Sequence, residues 1–295
     1  MKSQNFINIV KLLRLNTPTG DISIIKIIYL TFFPACFGFL LTSSKEYYLL
    51  ILFFIGSLTT RGMGCIVNDY FDRDFDDKVV RTKNRPLASR DANLKLAGLL
   101  FSICSLISLI ILLSLNTTCV YIGFVCAGMM VIYPLLKRFS NFPQVFLGFT
   151  FNLGALIGYA AATNHIDITS VILYLGCCLW TIGFDTIYGF MDIKDDKKIK
   201  IKSLSIYIEN RNYRFIIGLV YTTFIILFTI ASLISGVITN ISILLIGVVL
   251  AFIILIWQVV TLEIYKPNNC LKRFNANNLV GVILSLTLYL AKFSF

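Results

Sequence analysis

Nine stretches of about 20 mainly apolar residues, each long enough at 1.5 Å rise per residue to cross a bilayer as a helix, dominate this sequence. They cover residues 22–42, 47–67, 94–115, 118–136, 144–163, 166–190, 213–236, 238–262 and 276–294. In hydrocarbon a segment has to satisfy its own backbone N–H and C=O groups, so runs of this kind fold as helices. The pattern predicts an all-α, polytopic membrane protein, with nine transmembrane helices in a bundle around a central cavity. Composition agrees: 14% of residues are charged and the mean hydropathy is +0.83, whereas a soluble domain is about one quarter charged. The eight cysteines form no CxxC pair and mostly lie within apolar runs, so they read as small buried hydrophobes.

The connectors alternate in charge. Basic residues gather in the N-terminal arm (Lys2, Lys11, Arg14) and in the second-to-third connector (Arg73, Lys78, Arg81, Lys83, Arg85, Arg90). They recur at Lys137 and Arg138, from Lys194 to Arg214, and at Lys266, Lys272 and Arg273, with little beyond Lys45 and Lys292 on the opposite side. The positive-inside rule makes the first set cytoplasmic, which places the N-terminus inside and, with nine spans, the C-terminus outside. A net charge of +11 is thereby used for topology and phosphate contacts, and no nucleic-acid partner is expected. Without a cleavage pattern or an Arg- and Ser-rich leader, the expectation is a bacterial inner-membrane protein with an uncleaved first span. Residues 1–295 read as one domain, with similar halves at about 12–140 and 141–262 suggested by the long basic connectors after the second and sixth spans.

Nine of the 15 acidic residues fall at the ends of those two spans. Asn68, Asp72 and Asp76 follow one another at i, i+4 and i+8, and Asp69 joins them, so a continued helix puts them on one face; Asp74 and Asp77 point elsewhere. Asp185, Asp192, Asp195 and Asp196 form the second set, again with an acidic face. Like charges one turn apart destabilise a helix, and a carboxylate at membrane depth costs about 2.5 to 3.5 kcal/mol on insertion scales. Oxygen donors of this type suit Mg2+, which binds substrate phosphate as well. Two acidic clusters, each followed by lysines and arginines, describe a diphosphate site capped by two cytoplasmic Asp-rich loops. A cation channel or cation-coupled transporter would also use intramembrane acids but has no need of the adjacent basic residues. A merely solvated loop would account for one cluster better than for two.

The stretch from Asn68 to Asp76 matches the NDxxDxxxD motif, and Asp192 to Asp196 the DxxxD motif, of the UbiA superfamily of intramembrane prenyltransferases. RGMGCIVNDYFDRDFD with RTKNRPLAS, and FDTIYGFMDIKDDKKIKIKS, resemble its 4-hydroxybenzoate polyprenyltransferase branch. LLRLNTPTG, Tyr133-Pro134, Lys137-Arg138 and Pro143-Gln144 extend the similarity from about residue 12 to 205. Asn16, Thr17, Arg90 and Gly189 depart from the usual residues. The resemblance implies transfer of a polyprenyl group from polyprenyl diphosphate to 4-hydroxybenzoate, ortho to the hydroxyl, in ubiquinone synthesis; a haem- or homogentisate-type acceptor is the alternative.

On that resemblance Asn68, Asp72 and Asp76 hold one Mg2+ and Asp192 and Asp196 another, with Asp69, Asp185 and Asp195 in support or ligation. Lys83, Arg85, Lys194 and Lys198 are assigned to the diphosphate. Arg61, two turns before Asn68, is assigned to the acceptor carboxylate; Arg14 is the second candidate, and Tyr133 orients the acceptor. Arg73 is either a further diphosphate contact or a surface partner of Asp77. No base is visible, and His165, the only histidine, falls on a non-cytoplasmic loop.

Overall fold

The computed structural model describes residues 2–15, 24–136 and 140–293; Asn16, Thr17, Lys137 and Arg138 lie outside them. Helices account for the regular structure of the described residues, in the order α1 (Lys2–Leu12), α2 (Ile24–Leu40), α3 (Tyr48–Asp76), α4 (Leu94–Ser114), α5 (Thr117–Leu136), α6 (Pro143–Phe151), α7 (Leu153–Thr163), α8 (Ile168–Gly189), α9 (Ile193–Lys198), α10 (Leu204–Ile208), α11 (Tyr213–Ile234), α12 (Ile241–Val260) and α13 (Pro267–Ala291).

Among the described residues eight helical spans are long and apolar enough to cross a membrane: α3, α4, α5, α6 with α7, α8, α11, α12 and α13. This is a multi-pass membrane protein. The stretch expected at 22–42 contains α2, a helix of 17 residues. The span expected at 144–163 is broken where Asn152 turns its side-chain amide onto Gly148 O and Thr181 Oγ1, both at 2.7 Å. The last helix starts at Pro267, nine residues before the expected boundary, because the proline is tolerated in a first helical turn. Lys272 and Arg273 are therefore helical residues instead of a connector. Arg273 lies 5.0 Å over the Trp257 ring and its Nε donates to Thr261 Oγ1 at 3.2 Å.

Small residues let α2 and α7 touch. A Cβ on Gly158 would sit 2.0 Å from Ala35 O, and one on Gly38 would sit 2.1 Å from Ala155 O; this is the close backbone approach that holds helices together where lipid removes the hydrophobic drive. On the other side of α2, Trp180 of α8 stacks on Phe224 of α11 at 5.3 Å. Trp180 Nε1 donates to Asn277 Oδ1 at 2.8 Å, and Asn277 donates on to Gln258 Oε1 at 3.0 Å. That buried chain of amides ties α8, α12 and α13 together. Outward faces of α4, α5 and α12 carry exposed leucine, isoleucine, valine and phenylalanine, as lipid contact requires.

Candidate active site

Helix α3 has 29 residues, about 43 Å at 1.5 Å each against a hydrocarbon core of about 30 Å. The surplus carries the first acidic cluster, so Asn68, Asp72 and Asp76 lie on a helix end and not in a loop. One face is selected: Asp69, Asp72 and Asp76 are buried, while Asp74 is exposed and pairs weakly with Arg73 at 3.7 Å. Arg73 thus has Asp74, not Asp77, as its partner. After Asp76 the chain folds back over the helix end, with Thr82 Oγ1 donating to Asp76 O at 2.9 Å. This return aims Arg81 and Arg85 inward and leaves Lys83 exposed.

The second cluster is built differently. Helix α8 ends at Gly189 and α9 begins at Ile193, so Asp185 and Asp192 do not share a continuous helix face, contrary to the single acidic face expected from their spacing. Gly189 is required at the break, since a Cβ would meet Ser205 Oγ of α10 at 2.3 Å. Ser205 Oγ donates to Thr186 O at 2.9 Å, and Gln144 Oε1 accepts from Leu204 N at 2.9 Å. These contacts fold the 190–212 segment back against α6 and α8.

Between the two walls lies a cavity of about 910 Å³. At its acidic end it is lined by Asn68, Asp72 and Asp76 from α3, by Asp185, Asp192 and Asp196 opposite, and by Arg14, Arg81, Arg85 and Lys202. Deeper, Arg61 and Tyr133 line it, and beyond them the wall is mainly apolar, reaching Leu52 and Phe53 on α3 and Leu112 and Leu115 by α4. From Asp72 to Leu52 is about 30 Å along the helix, the thickness of the hydrocarbon.

Electrostatics at the mouth is a set of arginine–carboxylate pairs. Asp69, 1% exposed, is not on the cavity wall; it pairs with Arg14 and, at 3.3 Å, with Arg85. Arg85 Nη1 also donates to Asp76 Oδ2 at 2.5 Å. Arg81 donates through Nε to both oxygens of Asp192 at 2.8 and 2.9 Å, and through Nη1 to Tyr188 OH at 2.7 Å. Arg61 Nε is buried with no hydrogen-bond partner among the described residues.

Several expected residues are elsewhere. Asp195 accepts from Val80 N at 3.2 Å and from Lys198 Nζ at 2.8 Å, contacts that hold its carboxyl below the usual range, the Lys198 bond foremost. With Lys194 and Lys198 it faces a separate, smaller cavity. Asp196 of α9 lines the main cavity, as does Asp192 just before the helix, whereas Asp195 and Lys198 line the smaller one. Arg81, Lys202 and Tyr188, which sequence reasoning did not assign to the site, take their place on the main cavity. Arg81 lies in a turn segment, so no sequence spacing marked it. His165 is exposed on the connector after α7, with its ring Nδ1 at 2.8 Å from Thr163 O.

Among the described residues no three Asp, Glu, His or Cys side chains converge into a ready metal cage; the nearest carboxylates are turned to arginines. The donors on the two walls are nevertheless all oxygens, the hard set that fits Mg2+, an ion held by one or two carboxylates together with water and substrate phosphate and seldom by an all-protein cage.

A helical membrane bundle whose apolar cavity ends in two acidic walls and a ring of guanidinium groups is a chamber for an amphiphile with an anionic head. Residues 31–280 match the UbiA prenyltransferase family. Over 283 residues, 95% of each chain, the protein is 31% identical to 4-hydroxybenzoate octaprenyltransferase from Coxiella burnetii. Its fold is that of a UbiA homolog from Aeropyrum pernix, solved in the apo form, with a TM-score of 0.76 at 22% identity, covering 89% of this chain and 96% of that one. A UbiA homolog from Archaeoglobus fulgidus, solved bound to GPP and Mg2+, superposes with a TM-score of 0.64 at 14% identity over 96% and 99% of the two chains. The chain belongs to the UbiA prenyltransferase family.

Proposed function

We propose that this protein transfers a polyprenyl group from polyprenyl diphosphate to the ring carbon of 4-hydroxybenzoate ortho to the hydroxyl, releasing diphosphate, in ubiquinone biosynthesis. The observation that carries this reading is the one cavity that joins an acidic, arginine-rich mouth to an apolar interior. The curated relative named above is an enzyme of that activity over nearly the whole of both chains.

The allylic C–O bond breaks with negative charge collecting on the leaving diphosphate, and a C–C bond forms at the ring as the ring carbon loses its proton. Arg81, Arg85 and Lys202 are placed to bind the diphosphate oxygens, because they share the mouth with the carboxylates; guanidinium forks match phosphate geometry. Asn68, Asp72 and Asp76 would hold one Mg2+ and Asp192 and Asp196 a second, with Asp185 beside them. Bound Mg2+ supplies charge neutralisation of the departing diphosphate. Asp69 acts through Arg14 and Arg85, which it orients from behind the wall. Arg61 receives the acceptor carboxylate, since its buried Nε lacks a protein partner among the described residues, and Tyr133 lines the same depth of the cavity. The apolar interior excludes water from the allylic cation.

We propose that the protein sits in the bacterial inner membrane, and the basic connectors support a cytoplasmic N-terminus. The test is purified protein with Mg2+, a polyprenyl diphosphate and a panel of labelled acceptors: 4-hydroxybenzoate, homogentisate and a haem. Prenylation of 4-hydroxybenzoate in preference to the others supports the reading, and preference for another acceptor overturns it.

A further inference from the structure

We infer that the smaller cavity beside the reaction chamber is a second diphosphate site, the station through which the leaving group passes to water. The inference rests on the prenyltransferase reading and adds a site to it. The cavity measures about 440 Å³ and shares Arg81, Asp192 and Leu271 with the main chamber. Its own wall includes Lys194, Lys198 and Tyr265. It opens at the protein surface: the Lys198 side chain is 74% exposed, and Tyr265 is 54% exposed.

The partition between the two spaces is the Arg81–Asp192 pair. Arg81 holds Asp192 from Nε at 2.8 and 2.9 Å and leans on Tyr188 at 2.7 Å, and both partners line the main chamber. On the far side, Lys194 lies 5.9 Å over the Tyr265 ring, and Lys198 is held at 2.8 Å by Asp195. Three cations, Arg81, Lys194 and Lys198, therefore border the second space together with the carboxylates of Asp192 and Asp195, so its net charge is positive.

Diphosphate cannot leave through the apolar walls of the chamber, because charge in hydrocarbon is too costly; its way out is at the cytoplasmic end. A guanidinium that grips a carboxylate through two nitrogens can grip phosphate oxygens with the same fork. Arg81 can exchange Asp192 for the departing diphosphate, and the lysines, point charges on flexible stems, receive it. This accounts for two lysines of the DxxxD segment turning away from the chamber.

The test uses the full chain in lipid nanodiscs with Mg2+ and inorganic diphosphate. Wild-type protein is expected to bind diphosphate at two sites in equilibrium dialysis, and diphosphate is expected to inhibit transfer in a mixed pattern against the prenyl donor. In the Lys194→Ala/Lys198→Ala double variant the second site weakens by about tenfold or more, as loss of charge-assisted contacts entails, and inhibition becomes competitive. The Lys194→Arg/Lys198→Arg variant retains two sites. A single, purely competitive site in the wild type overturns the inference, as does a donor KM that rises in step with the loss of diphosphate binding, which would put the lysines at the donor site. Absence of transfer with every donor and acceptor would instead overturn the prenyltransferase reading, and the binding stoichiometry would still decide the second site.

Discussion

Asp69→Asn separates an arginine holder from a metal ligand. Asp69 is 1% exposed, pairs with Arg14, and stands 3.3 Å from Arg85. At that separation the Arg85 pair alone is worth about 5 kcal/mol of Coulomb energy at an effective dielectric of about 20, before desolvation is subtracted. Breaking a buried pair by removing one partner costs about 3 to 5 kcal/mol. The amide keeps the size of the side chain but not the charge, so Arg14 loses the carboxylate that holds it, while Arg85 retains Asp76 at 2.5 Å. If about 3 kcal/mol of this reaches the transition state through a displaced guanidinium, kcat/KM for the prenyl diphosphate falls by about two orders of magnitude. The assay is transfer in proteoliposomes across donor and Mg2+ concentrations. The expected result is that loss with Mg2+ half-saturation moved by less than about twofold, since Asp69 is not on the cavity wall. Wild-type activity would refute the arginine-holding role. So would a large shift in Mg2+ dependence with donor kinetics intact, because Asp69 would then be a ligand.

Asp72→Asn and Asp192→Asn should each abolish detectable transfer while the protein still inserts in the membrane, and full activity in either would remove that residue from the metal assignment. For Arg61→Ala the acceptor KM should rise by about tenfold, the worth of roughly one charge-assisted contact, with donor KM little changed; equal changes in both would take Arg61 out of acceptor recognition. Gly158→Ala should lower stability by about 1 to 3 kcal/mol through overpacking, because its Cβ would lie 2.0 Å from Ala35 O. A melting temperature equal to wild type would refute the α2–α7 crossing.

Element existence was legible because membrane helices announce themselves by length and apolarity, and the acidic face of α3 followed from residues four apart on a helix that runs on past the bilayer. What stayed hidden depended on single side chains or on helix phase. One buried asparagine, Asn152, breaks the span at 144–163 by capturing Gly148 O, and an apolar count does not register it. The turn at Phe190 to Asp192 resets the phase of α9, so spacing measured from Asp185 could not tell that Asp196 faces the chamber and Asp195 does not. In the return after Asp76 no periodicity applies, and Lys83 was preferred where Arg81 turns inward. Arg14 lacked any local sign of its partner, which lies 55 residues away in Asp69.

In the proposed reaction the two acidic walls act together on one diphosphate ester beside an aromatic acceptor. This joint action is tested most directly by measuring prenylated 4-hydroxybenzoate and released diphosphate in the same reaction, with purified protein, polyprenyl diphosphate and Mg2+, before and after EDTA. The two products are expected in equal amounts, both lost in EDTA and both restored by added Mg2+. Diphosphate release without ring prenylation, or transfer that continues in EDTA, would contradict it.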